Sequence, residues 1–118
     1  MNITSEIIRA VSESGVKTGT VMVFSPHTTA GLTINEAADP DVKADILSAL
    51  SQMVPEGPFR HAEGNSAAHI KASLMGSSVM MGIRDGRPVL GTWQGVFFCE
   101  FDGPRSRTVH INIMAERT

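Results

Sequence analysis

Four histidines carry most of the chemistry this chain can offer: His27, His61, His69 and His110. Imidazole is the commonest neutral metal ligand and the usual acid or base near neutral pH. His27 stands just past a β-rich run, in Pro26-His27-Thr28-Thr29-Ala30. Strand ends are where a rigid scaffold presents functional groups, and the alternative is an ordinary loop histidine. His61 and His69 lie eight residues apart across a loop-to-helix junction. That spacing permits a shared site without dictating one, since it is neither HExxH nor part of a cysteine cluster. His110 alternates with Val109, Ile111 and Ile113, so it shares the opposite strand face with Asn112 and Met114 and reads as structural.

Other side chains could join them. Glu36 closes a strand, where a carboxylate near a histidine can be a ligand, a base or an orienting group. Asp39 reads first as a helix cap. Arg105 and Arg107 point to one face if their segment is extended. Two such guanidiniums bind phosphate in fork geometry, or are answered by Glu100 or Asp102. Lys71 either adds a charge to that pair or faces water. Gly91-Thr92-Trp93-Gln94-Gly95 holds the only tryptophan between glycines. Trp93 is either a core residue at a bulge or a stacking wall for a flat ligand.

The elements that must position these residues follow from periodicity. A first helix runs from a Thr4 or Ser5 cap through Ile7, Ile8 and Val11, and Gly15 stops it. Strands are expected over 20–25 and 32–34. Asp39 caps a second helix with Pro40 in its first turn, and Val42, Ile46, Leu47, Leu50 and Met53 repeat at helical spacing. Ser66 caps a third, with Ala67, Ile70 and Leu74 turned inward. Strands follow over 79–83, 89–90, 96–101 and 108–114 as a meander, with a hairpin at Asp85-Gly86 and a turn at Asp102-Gly103-Pro104. The pattern predicts one α+β domain over residues 1–118, an antiparallel β-sheet or sandwich with two to three helices.

Composition narrows the function classes. A net charge of -2 argues against a general nucleic-acid binder. The lone cysteine, Cys99, lies among Phe97, Phe98 and Phe101, so it packs as a small apolar residue and nothing marks the chain as secreted. No apolar run approaches the roughly 20 residues that span a bilayer, so no membrane partner is expected. A cytoplasmic location is the default expectation.

Taken in order, the motifs resemble a known family. They are His27-Thr28-Thr29-Ala30, Ile34-Asn35-Glu36 with Asp39-Pro40, His61-Ala62-Glu63-Gly64-Asn65 with Ala68-His69-Ile70-Lys71, Gly91-Thr92-Trp93-Gln94-Gly95, and Asp102-Gly103-Pro104-Arg105-Ser106-Arg107. Over nearly the whole chain the sequence is similar to the YjbQ-like, or secondary thiamine-phosphate synthase, family. The resemblance implies an α+β fold that assembles as a homotrimer, with a polar pocket near the histidines and close to a subunit boundary. It implies a metal at His27, His61 and His69, and weak joining of a pyrimidine pyrophosphate to a thiazole phosphate. Glu36, Lys71, Arg105 and Arg107 would then serve that chemistry, and Trp93 with Gln94 would hold the flat ring of a small phosphorylated molecule. Three imidazoles suit zinc better than magnesium, which prefers oxygen ligands. The alternative is a metal- or anion-binding protein without turnover, whose histidines support the trimer interface. The family also carries a strand ahead of the first helix. Here Met1 stands directly before that helix, so either the start is shortened or the sheet lacks a strand, leaving an exposed edge.

Overall fold

The structure is a computed structural model that describes residues 1–62 and 64–117; Glu63, part of the second histidine motif, lies outside them. Among the described residues three helices and six strands follow one another: α1 (Thr4–Ser14), β1 (Thr18–Phe24), β2 (Ala30–Glu36), α2 (Pro40–Met53), α3 (Ser66–Met75), β3 (Ser78–Arg84), β4 (Arg87–Pro88), β5 (Gln94–Glu100) and β6 (His110–Ala115). This is the α+β antiparallel class that the periodicity predicts. Among the described residues, no helix is long and apolar enough to cross a membrane.

The strand order departs from the expected meander. One sheet runs β4-β3-β1-β6, and β2 and β5 form a separate two-stranded ribbon. Only β3 and β4 form a hairpin of neighbours, across Asp85 (φ 53) and Gly86 (φ 75). Two left-handed residues in a row are what a tight hairpin matching strand twist requires. β5 leaves this sheet to pair with β2, from Ala30↔Glu100 to Glu36↔Gln94. The reason lies in the inner faces. Leu32, Val96 and Phe98 on the ribbon meet Val21, Val23, Met81 and Ile83 on the sheet, and α1 adds Ile7 and Val11. A continuous meander would leave that apolar sheet face without a cover.

The start of the chain lies alongside β5. Ile3 N–H donates to Val96 O at 2.9 Å, Phe98 N–H to Met1 O at 2.8 Å, and the Met1 ammonium to Phe98 O at 2.9 Å. Residues 1–3 thus occupy the ribbon edge. The capping of α1 also differs from expectation. Ile3 is the N-cap without a side-chain bond, and Asn2 Oδ1 accepts from Thr4 N at 3.0 Å and Thr4 Oγ1 at 2.5 Å. In α2 the expected cap is observed, with Asp39 Oδ1 accepting from Asp41 N at 2.9 Å.

Two helix faces correct the expected burial. In α3 the buried residues are Ala67, Ala68 and Ala72, while Ile70 and Leu74 face outward. The helix end lies so close to β2 that a Cβ at Gly31 would come within 2.9 Å of Gly76 O and of Met75 Cβ. Only a face of small residues fits such an approach. In α2 only Leu50 is buried, although the apolar stripe is present; Leu47 and Met53 stay exposed. The chain is also drawn out, 54 × 29 × 22 Å with a radius of gyration of 15.9 Å. A compact domain of this length has about 13.5 Å.

Burial therefore ranks the leucines. Leu32→Ala, at a site 0% exposed, should cost about 3 kcal/mol, whereas Leu74→Ala, 56% exposed, should cost about 0.5 kcal/mol or less in urea unfolding. Equal losses at the two positions would contradict the orientation of α3.

Candidate functional site

The ribbon has two ends, and the candidate residues divide between them. From Ala30↔Glu100 to Glu36↔Gln94 the register advances six residues, about 20 Å at ~3.4 Å each. Arg107, Arg105, His61 and His69 group with Glu100, Asp102 and Asn65 at the first end. Glu36, Trp93 and Gln94 stand at the second.

At the first end the two arginines take different roles. Arg107 Nε donates to Glu100 Oε1 at 2.7 Å, its Nη2 donates to Glu100 Oε2, and Nη2 reaches Thr29 Oγ1 at 2.9 Å. This side chain is 11% exposed, and Thr29 is buried. The bidentate fork ties the 102–107 loop to the start of β2. These bonds hold the Glu100 carboxyl down to about 2, and its charge in turn raises the Arg107 guanidinium. Arg105 donates from Nε to Asp102 O at 2.8 Å and from Nη2 to Asp102 Oδ2 at 2.9 Å, yet it is 56% exposed. A guanidinium has five N–H groups, so Arg105 keeps three for solvent or an anion. The carboxylate answers anticipated for the pair are both present.

Asp102 also accepts from Asn65 Nδ2 at 2.9 Å. The Asn65 amide, and then Arg105, hold the Asp102 carboxyl below its ordinary value. Asn65 is the N-cap of α3, and four residues on, over the same helix face, comes His69. The His61 and His69 rings meet edge to face, 5.5 Å between centroids. The His61–His69 pair and the Asn65–Asp102–Arg105 bonds are joined through the helix backbone, where His69 N–H donates to Asn65 O at 3.3 Å. Asn65 Oδ1 is buried with no donor reaching it among the described residues, and no side chain caps the first-turn N–H groups of α3. Asn65 was missed as a site residue; its signal was a polar residue four positions before a histidine. Lys71 lies two positions after His69, about 200° round the helix, and faces away from it.

His27 is engaged elsewhere. Its Nε2 accepts from Thr108 N at 2.9 Å and lies 3.1 Å from Thr108 O, so either tautomer uses that nitrogen on residue 108. Among the described residues no group of three or more His, Cys, Asp or Glu side chains could hold a metal ion. Zinc takes three or four protein ligands. Among the described residues His61 and His69 supply two imidazoles near one another, which suit a zinc ion better than magnesium, whose ligands are oxygens.

At the second end, Glu36 Oε2 accepts from Ala38 N at 2.9 Å and shapes the turn into α2. Trp93 is 64% exposed, which removes the core reading. Its loop is held rigid: Ala37 N–H donates to Trp93 O at 2.8 Å, and Gly91 N–H to Gln94 Oε1 at 2.8 Å. Gln94 serves its own turn. His110 sits on the outer sheet face, 6.5 Å from the Phe24 ring.

The Glu100–Arg107 pair sets an acid-stability prediction. A carboxyl whose folded value is about 2 against 4.5 unfolded stabilises fully above pH 4.5 and loses that contribution as pH falls towards 2. Glu100→Gln should lower stability at pH 7 and converge with the parent near pH 2, read by urea unfolding across that range.

Comparison with known proteins places this geometry. Residues 1–116 match the family described as UPF0047 protein YjbQ-like. The UPF0047 protein MJ1081 of Methanocaldococcus jannaschii is 55% identical over 118 residues, covering 99% of this chain and 86% of that protein. The UPF0047 protein YugU of Bacillus subtilis is 49% identical over 116 residues, covering 97% and 88%. A crystal structure of an uncharacterized YjbQ/UPF0047 protein from Clostridium acetobutylicum superposes with a TM-score of 0.94 at 57% identity, covering 97% of this chain and 89% of that one. A YbjQ-like protein of unknown function from Sulfolobus solfataricus gives 0.93 at 32%, covering 98% and 86%. The chain belongs to the YjbQ-like UPF0047 family.

Proposed function

We propose that the α3 end of the ribbon binds the phosphate group of a small phosphorylated molecule, with His61 and His69 as acid and base beside it. The observation that carries this reading is the edge-to-face imidazole pair at a helix N-terminus that no side chain caps among the described residues. Helix N-termini attract anions through their free N–H groups and dipole. Arg105, exposed and with donors to spare, supplies the positive charge, and Asp102 orients it. Weak thiamine-phosphate synthesis is one reaction of this kind, since its leaving pyrophosphate needs cations around it.

A second reading, binding without turnover, is favoured by the fate of Arg107. Its Nε and Nη2 donors are engaged by Glu100 and Thr29 and the side chain is 11% exposed, which leaves Arg105 as the open arginine for a leaving group. Calorimetric titration with inorganic phosphate tests the site itself. His69→Ala and Arg105→Gln should each weaken binding about tenfold or more, the loss of one charge-assisted hydrogen bond. Unchanged affinity in both variants refutes the site. Turnover of a panel of phosphorylated substrates, and its loss in His61→Ala, then separates the enzyme from the binder.

We also infer that the chain works as a homotrimer. The outer face of the four-stranded sheet aligns Met80 with Met22 and Thr20 with Met114, and Phe24 stands beside them. Met80 is 60% exposed, where a solvated sheet face should carry polar residues. Sedimentation equilibrium should give three copies for the parent chain and a smaller species for Met80→Glu; a parent monomer at micromolar concentration would rule the assembly out.

A further inference from the structure

Beneath α2 lies a slot that the histidine site does not use. It runs along the outer face of the ribbon, with a volume of about 200 Å³. Leu47 and Leu50 of α2, Met75 of α3, Thr33, Phe97 and Cys99 of the ribbon and Phe101 just past it line the slot. Protein interiors are close-packed, and atoms lining a void forgo their dispersion contacts. An apolar slot of this size is therefore a place for a ligand; even an apolar cavity of about 150 Å³ accepts benzene.

Two cations stand at the slot, the Lys43 side chain and the Met1 ammonium, which already donates to Phe98 O at 2.9 Å. Lys43 lies one and two turns before Leu47 and Leu50, so all three share the face of α2 that looks down on the ribbon. Among the described residues Lys43 has no ion-pair partner. Of the acids along the slot, Glu100 is neutralised by Arg107, and Glu36 lies at the far end bonded to Ala38 N. We propose that this slot binds a small amphipathic acid, with a hydrocarbon body no larger than one substituted ring under α2 and its anionic head on Lys43. The site is independent of phosphate binding at the histidines.

Cys99 reports occupancy directly. It is half-buried beside the slot, and burial pushes its thiol up, with the Met1 ammonium and then the Lys43 charge acting in the opposite direction. Alkylation by N-ethylmaleimide is followed by mass spectrometry with 3-phenylpropionate, 3-phenyl-1-propanol, acetate or inorganic phosphate present. The propionate should slow the reaction, the alcohol should need about ten times the concentration, and acetate and phosphate should have no effect. That tenfold preference corresponds to about 1.4 kcal/mol. Lys43→Glu should abolish the preference for the acid, and Lys43→Arg should keep it. Equal protection by acid and alcohol overturns the proposal. So does no protection at millimolar acid, or a Cys99 already inert in ligand-free protein but reactive in urea, which would mean that the chain or another copy fills the slot.

Discussion

The pairing of β2 with β5 is the constraint on which the rest of the molecule depends. The two strands lie about sixty residues apart in the chain, and bringing them together costs loop-closure entropy before any contact repays it. What repays it is two-sided. The inner face places Leu32, Val96 and Phe98 over α1 and the four-stranded sheet. The outer face gives α3 its seat at Gly31 and α2 the wall of a slot. Slip the register by one residue and every one of these side chains changes face. The hydrophobic requirement of the core therefore fixes which polar residues meet at the ribbon ends.

The Glu100–Arg107 fork shows how that requirement reaches the chemistry. Glu100 is the last residue of β5, and Thr29 immediately precedes β2. By holding both, Arg107 locks the departing 102–107 loop to the ribbon, so that Asp102 meets Asn65 and Arg105 stays outside. A buried arginine that braces and an exposed one that can receive an anion are two uses of one residue type, separated by a single position in the chain.

Much of this was legible in the sequence, for physical reasons. Asp39-Pro40 and the repeat from Val42 to Met53 announced α2, and Asp85-Gly86 announced its hairpin, because capping and turn chemistry are local. Partner choice is not local, so the meander was expected where β5 crosses to β2 instead. The inward face of α3 was misjudged because Ile70 and Leu74 outrank alanine in hydrophobicity, whereas the close approach at Gly31 selects for size. At the site, the eight-residue spacing of His61 and His69 allowed the contact that forms. The hold of Thr108 on His27 left no trace in the sequence, because it joins residues 81 apart through a backbone group that any residue could supply.

The division of candidate residues between two ribbon ends limits what one chain can do. Groups about 20 Å apart on a rigid two-stranded ribbon cannot touch one small anion. Trp93, exposed on a loop pinned by Ala37 and Gln94, is preorganised to meet something flat or apolar, and it cannot stack on a ligand held at His61 and His69 of the same chain. Rigid, exposed tryptophans dominate binding energies where they are found in contacts. The motif around Trp93 and the histidine motifs thus lie apart on one chain, although both sit on elements ordered by the same strand pair. The outer sheet face with Met80 exposed and α2 with Leu47 and Met53 exposed show the same division, a core closed between ribbon, sheet and α1 and apolar side chains left on the outside.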